Sequence, residues 1–90
     1  MVAVENRADP FRILITDDDA GCRETVREAL ETGGYETHEA ACGREAIEVA
    51  RARLVHVVIV DMNMPDLDGV QTVTLIRRET AAPVPSILMS

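Results

Sequence analysis

The run Val57-Val58-Ile59-Val60 restricts the fold of this chain most, because it is continuous, largely β-branched and stops on a carboxylate, Asp61. So short a run, followed by the turn-rich Met62-Asn63-Met64-Pro65-Asp66-Leu67-Asp68-Gly69, reads as a strand covered on both faces. Strands of that kind belong to parallel sheets with helices above and below. A second apolar run, Arg12-Ile13-Leu14-Ile15-Thr16, ends in Asp17-Asp18-Asp19. If the two strands lie side by side and parallel, these acids meet Asp61 at the carboxyl edge of the sheet. Open α/β sheets bind ligands at that edge. An acidic pocket there is suited to a cation and a phosphate.

Helical and extended patterns alternate through the rest of the chain. From Ala20 to Thr32, Cys22, Val26, Ala29 and Leu30 recur at helical spacing, with Asp19 placed to cap the start and Gly33-Gly34 to stop it. Tyr35 to Ala40 alternates weakly and carries Glu36, His38 and Glu39, as an edge strand would. A second helix is expected from Gly43 to Arg53, with Ala46, Ile47, Ala50 and Leu54 inward. The third strand is expected over Val55 to Asp61, and a third helix over Val70 to Glu79 with Val70, Val73 and Ile76 inward. Pro83-Val84-Pro85 breaks that helix, and Ser86 to Ser90 opens a fourth strand. Residues 1–11 are expected to be a flexible leader and 12–90 one domain. The alternation implies βαβ units with right-handed crossovers, an α/β class.

Composition narrows the options. Apolar residues make up 47% of the chain, enough for the core of one small domain. Phe11 and Tyr35 are its aromatics, so that core is built from Val, Ile, Leu, Ala and Met. A net charge of −7 argues against nucleic-acid binding, since phosphate backbones would be repelled. Cys22 and Cys42 have neither metal-ligand spacing nor a CxxC arrangement, and read as small reduced thiols. No segment has the pattern of a signal peptide or the length of a membrane span, so the expected setting is the cytoplasm without membrane contact.

Three acids at one strand edge repel one another, and a divalent cation removes that penalty. Mg²⁺ takes oxygen ligands, keeps several waters and commonly joins one or two carboxylates to a phosphate. Asp61 could then act as a nucleophile toward a phosphoryl donor and form an aspartyl-phosphate.

With those residues in place, the sequence resembles the response-regulator receiver domain of two-component signalling. The resemblance rests on Ile13-Leu14-Ile15-Thr16-Asp17-Asp18-Asp19 and on the tract from Val57 through Asp61 to Asp68-Gly69, including Met64-Pro65. Gly43-Arg44-Glu45-Ala46 and Pro85 to Ser90 add to it, so it runs from Arg12 to Ser90. It implies a flavodoxin-like, doubly wound parallel sheet of strand order 2-1-3-4. It also implies that Asp61 is the phosphoacceptor, Asp18 a direct Mg²⁺ ligand, and Asp17 a ligand acting through water. Asn63 would give a backbone carbonyl to the metal, and Ser90 would be the switch hydroxyl. The donor would be a histidine kinase or a phosphotransfer protein. Such a chain is a phosphoacceptor rather than an enzyme, catalysing at most its own phosphorylation and dephosphorylation.

The family's further helix-strand-helix, about 35–40 residues, is not in this sequence, and neither is its phosphate-pairing lysine: all nine basic residues are arginine. His56 stands where the family often has Asp or Asn, and Cys42 where a polar helix cap is usual. Asp66 and Asp68 read as loop-solvating acids, and His38 and His56 as edge or strand-end residues. Without the missing segment, Ile13, Ile15, Val58 and Val60 are expected to be partly exposed on the face of the first helix. Self-association through that face or through the fourth strand would follow. Two other classes compete. A receiver without phosphotransfer would be only an interaction module. An aspartate-nucleophile phosphatase would want a second acid where Asn63 stands. A calcium loop from Asp61 is excluded, because Asp66 replaces the obligatory glycine and Thr72 the bidentate glutamate.

Overall fold

The computed structural model of the chain describes residues 10–80 and 84–89. Strands β1 (Arg12–Thr16), β2 (Glu36–Ala40), β3 (Val57–Asp61) and β4 (Ser86–Met89) alternate with helices α1 (Ala20–Thr32), α2 (Gly43–Ala52) and α3 (Gly69–Glu79). All strand pairs are parallel, in the order β2-β1-β3-β4. This is the flavodoxin-like topology, with β2 beside β1 at one edge.

Register decides which side chains face which helices. Ile13 lies opposite Val57 and Ile15 opposite Ile59, so in these parallel strands the odd-numbered residues share a face. Ile13, Ile15 and Ile59 pack with Val26 and Leu30 of α1. Leu14, Val58 and Val60 look the other way, onto Ala46, Ile47 and Ala50 of α2 and Val73 and Ile76 of α3. The expected partial exposure of Ile13, Ile15, Val58 and Val60 is therefore wrong. All four are buried, and Val58 and Val60 lie under the α2–α3 layer.

Other inward assignments also shift. Leu54 is 66% exposed, because α2 ends at Ala52 and Arg53 turns extended (φ −135°, ψ 150°), leaving Val55 to fill the core instead. Val70 is 52% exposed, and Thr72 takes the inward place beside Val73 and Ile76. Helix α1 has no fully buried residue; Cys22 and Ala29 are exposed, and Val26 and Leu30 make its apolar contacts with the sheet.

Polar side chains close the sheet's margins. The His56 N–H donates to the Arg12 carbonyl at 2.9 Å, and its Nδ1 accepts the Arg12 N–H at 2.8 Å, joining the starts of β1 and β3. Phe11 stacks on the same imidazole at 4.7 Å between ring centroids. On β2, Glu36 pairs with Arg12 at 3.2 Å and His38 at 2.7 Å, and Glu39 pairs with Arg23 and Arg27. Such charges guard an edge strand against pairing with another chain.

Candidate functional site

Because β1 and β3 are neighbours pointing the same way, Thr16 lies opposite Val60 and the next residues, Asp17 and Asp61, leave the sheet together. Asp17 is buried, Asp61 half-buried and Asp18 exposed. One carboxylate oxygen from each can be chosen so that all three lie within 4.8 Å of one another.

Asp17 is held firmly. Its backbone N–H donates to the Ala40 carbonyl at 3.1 Å, its Oδ1 accepts the Asp19 N–H at 2.9 Å, and Arg23 Nη1 donates to its carbonyl at 2.6 Å. Asp19 has a different duty from its two neighbours. Its carboxylate caps α1, accepting from the N–H groups of Gly21 and Cys22, and it is not in the cluster. Asp61 Oδ1 accepts the Asn63 N–H at 3.3 Å, which places Asn63 beside the pocket. Ser90 lies outside the described residues.

The pocket's field is negative. Cys22, on the first turn of α1, has its thiol pKa pushed up by the Asp17 charge first, then by partial desolvation, by Asp19, by a hydrogen bond to Asp17 and by Asp61. Arg23 pairs with Glu39, and among the described residues no ion pair involves Asp17, Asp18 or Asp61. Three carboxylates offering only oxygen, running from buried Asp17 to exposed Asp18 and in no ion pair among the described residues, fit a small hard divalent ion that retains water.

The loop from β3 to α3 holds what the sequence did not disclose. Asp68 is the N-cap of α3 in a full capping box. Its carboxylate accepts the Gln71 N–H at 2.8 Å while Gln71 Oε1 accepts the Asp68 N–H at 3.0 Å. The spacing Asp68-x-x-Gln71 could have announced this. Asp66 caps a different helix, accepting the Gly43 N–H at 3.0 Å and the Arg44 N–H at 2.9 Å at the start of α2. Partial desolvation pushes this carboxyl up, but the N–H groups of Arg44, Gly43, Leu67 and Asp66 itself outweigh it and hold the pKa down at about 2. Neither acid is simply a solvated loop residue. Gly43 is required at this junction, since a Cβ there would lie 2.5 Å from Thr72 Oγ1 and 2.8 Å from Leu67 Cβ.

The family model described as the response regulator receiver domain matches residues 13–90. Among curated relatives, Response regulator MprA of Mycolicibacterium vanbaalenii is 38% identical over 68 residues, 76% of this chain and 29% of that protein. Transcriptional regulatory protein SrrA of Staphylococcus aureus is 35% identical over 72 residues, 80% of this chain and 30% of that one. The chain thus spans about three tenths of the length of these relatives. Among solved structures, chemotaxis protein CheY4 of Vibrio cholerae superposes with a TM-score of 0.82 at 32% identity, covering 89% of this chain and 68% of that one. Response regulator TrrA of Thermotoga maritima, solved with Mg²⁺ and BeF, gives a TM-score of 0.74 at 34% identity over 78% of this chain and 61% of its own. Sequence match and fold agree along nearly the whole described chain, which belongs to the response-regulator receiver domain family of two-component signalling.

Proposed function

We propose that Asp61 accepts a phosphoryl group from a histidine kinase or a phosphotransfer protein in the cytoplasm, with Mg²⁺ held by Asp17, Asp18, Asp61 and the Asn63 backbone carbonyl. The observation that carries this reading is the convergence of three carboxylates within 4.8 Å at the end of two parallel strands. An Asp61 carboxylate oxygen attacks phosphorus and the O–P bond forms. The donor's N–P bond breaks, and its electron pair leaves with the imidazole nitrogen, which takes up a proton. When bound, Mg²⁺ supplies positive charge that offsets the carboxylates and the phosphoryl oxygens. Asp17, fixed by Asp19 and Arg23, keeps its place while Asp18 stands at the exposed rim. Ser90 completes the proposal as the hydroxyl that senses the phosphate. The domain turns over no other substrate.

The test is intact mass after treatment with acetyl phosphate. The chain should gain one phosphoryl group with Mg²⁺ and none with chelator. Asp18→Ala should need at least about tenfold more Mg²⁺ for equal labelling, since even outer-shell partners of metal ligands are worth 10–100-fold. Labelling indifferent to Mg²⁺, or an unchanged Mg²⁺ requirement in the variant, rejects the site.

A second reading, self-association through β4, is favoured by one observation: Ile87 and Leu88 are 54% and 45% exposed on opposite faces of that strand. Apolar edge strands template pairing between chains. Sedimentation equilibrium should then show dimers or larger species growing with concentration, and a monomer throughout removes this reading.

A further inference from the structure

We propose that Asp66 is a positioning residue for the acidic pocket: by capping α2 from the β3–α3 loop, it fixes the loop that carries Asn63 and so sets the pocket's affinity for a divalent cation. This rests on the reading of the pocket as a Mg²⁺ site.

The helix it caps has no cap of its own. Cys42 occupies the N-cap in an extended conformation (φ −157°, ψ 170°) that would suit a capping side chain, yet its thiol makes no such bond. The first N–H groups of α2 are taken up instead by both oxygens of Asp66, 22 and 23 residues along the chain. Helix and loop thus satisfy each other.

The loop's two ends are already tied to each other, and the first of them to β4. Gly69 N–H donates to the Met62 carbonyl at 3.0 Å, and Met62 N–H donates to the Met89 carbonyl at 2.8 Å. Residues 63–68 therefore form an excursion that leaves the end of β3 and returns to it. Met64 and Leu67 rest on the core, and Asp66 stands between them as the polar tie to α2. The excursion meets the pocket through the bond from Asn63 N–H to Asp61 Oδ1. At 3.3 Å that bond is already slightly longer than the usual N–H···O range. A loop shift of a few tenths of an ångström is enough to lose it, and with it the orientation of the Asp61 carboxylate. The path proposed from Asp66 to the pocket runs through this bond.

The experiment compares the wild-type chain, Asp66→Ala, and Asp66→Ala combined with Cys42→Asp, which restores a local cap to α2 without touching the loop. ¹⁵N relaxation on the metal-free chains reads the loop, and Mg²⁺ titration reads the pocket. In Asp66→Ala the order parameters of Asn63 and Met64 should fall from about 0.85 toward 0.6. Mg²⁺ affinity should drop roughly three- to tenfold, the scale of a lost outer-shell partner. Adding Cys42→Asp should return the Arg44 amide and the melting temperature toward wild type while leaving the loop mobile and the affinity low. Recovery of the affinity with Cys42→Asp would make Asp66 a helix cap and nothing more, and an unmoved Asn63 in Asp66→Ala would overturn the tether. Should the alanine variant not fold, Asp66→Asn keeps one acceptor oxygen and should fall between wild type and the loss; identity with wild type in both readouts rejects the proposal. A wild-type chain that ignores Mg²⁺ counts against the metal reading alone, since the relaxation data still decide for or against the tether.

Discussion

Asp61→Asn is expected to take up no phosphoryl group from acetyl phosphate under conditions that label the wild type. The effect is all-or-none, because the amide lacks the anionic oxygen that attacks phosphorus. Asn63 N–H, which donates to Asp61 Oδ1, can donate equally to an amide oxygen, so the variant should keep the fold. The charge change is favourable if anything, since one of three mutually repelling carboxylates is gone. Intact mass and thermal unfolding, measured on the same samples, separate loss of chemistry from loss of structure. Label persisting in Asp61→Asn would place the acceptor elsewhere, and Asp17 or Asp18 would be the residues to examine next.

Gly69→Ala is expected to be among the most damaging single-methyl changes in the molecule. A Cβ at Gly69 would lie 2.8 Å from the Asp61 carbonyl oxygen, 3.0 Å from Met62 Cα and 3.3 Å from the Asp61 carbonyl carbon. All three are backbone atoms, so no side chain can rotate away. The end of β3 and the start of α3 must move apart, which strains the Gly69 N–H to Met62 bond. Overpacking of this kind costs about 1–3 kcal/mol. In a domain of this size each kcal/mol is worth about 4–8 °C in melting temperature. Gly21→Ala is the control, because its Cβ would meet only Asp19 Oδ1, at an ordinary 3.4 Å. It should be neutral or stabilising, as Gly→Ala within a helix generally is. If Gly69→Ala melts within about 1 °C of the wild type, the crowding at that junction is relieved at no cost and the argument fails.

How far the sequence disclosed this molecule depended on how far apart the partners lie along the chain. The strands were legible because Ile13-Leu14-Ile15 and Val57 to Val60 are short, largely β-branched apolar runs, each followed by turn-forming or acidic residues. Asp19 as a cap was legible because its partners are two and three residues away. The juxtaposition of Asp17 and Asp18 with Asp61 follows once the two strands are taken as parallel neighbours. Asp66 was not legible. Its partners lie on α2, and the clue was negative, a cysteine where a polar cap belongs. Val58 and Val60 were assigned to the wrong layer because a fully apolar run carries no alternation to show which parity faces which helices; only the register against β1 settles it. Leu54 misled because it continues the period of α2, whereas the backbone leaves the helix at Arg53.

The alternation of β3 ties the fold and the pocket to one parity. Val57, Ile59 and Asp61 share one side of the strand, and Val58 and Val60 the other. A slip of β3 by one residue against β1 would turn both apolar sets over and swing the terminal carboxylate off the pocket in the same step. Such a slip cannot spare one and lose the other. The loop before β3 can change length freely so long as it delivers the strand in the same register, whereas β3 itself can give up its acidic pocket and keep its fold only by exchanging side chains in place.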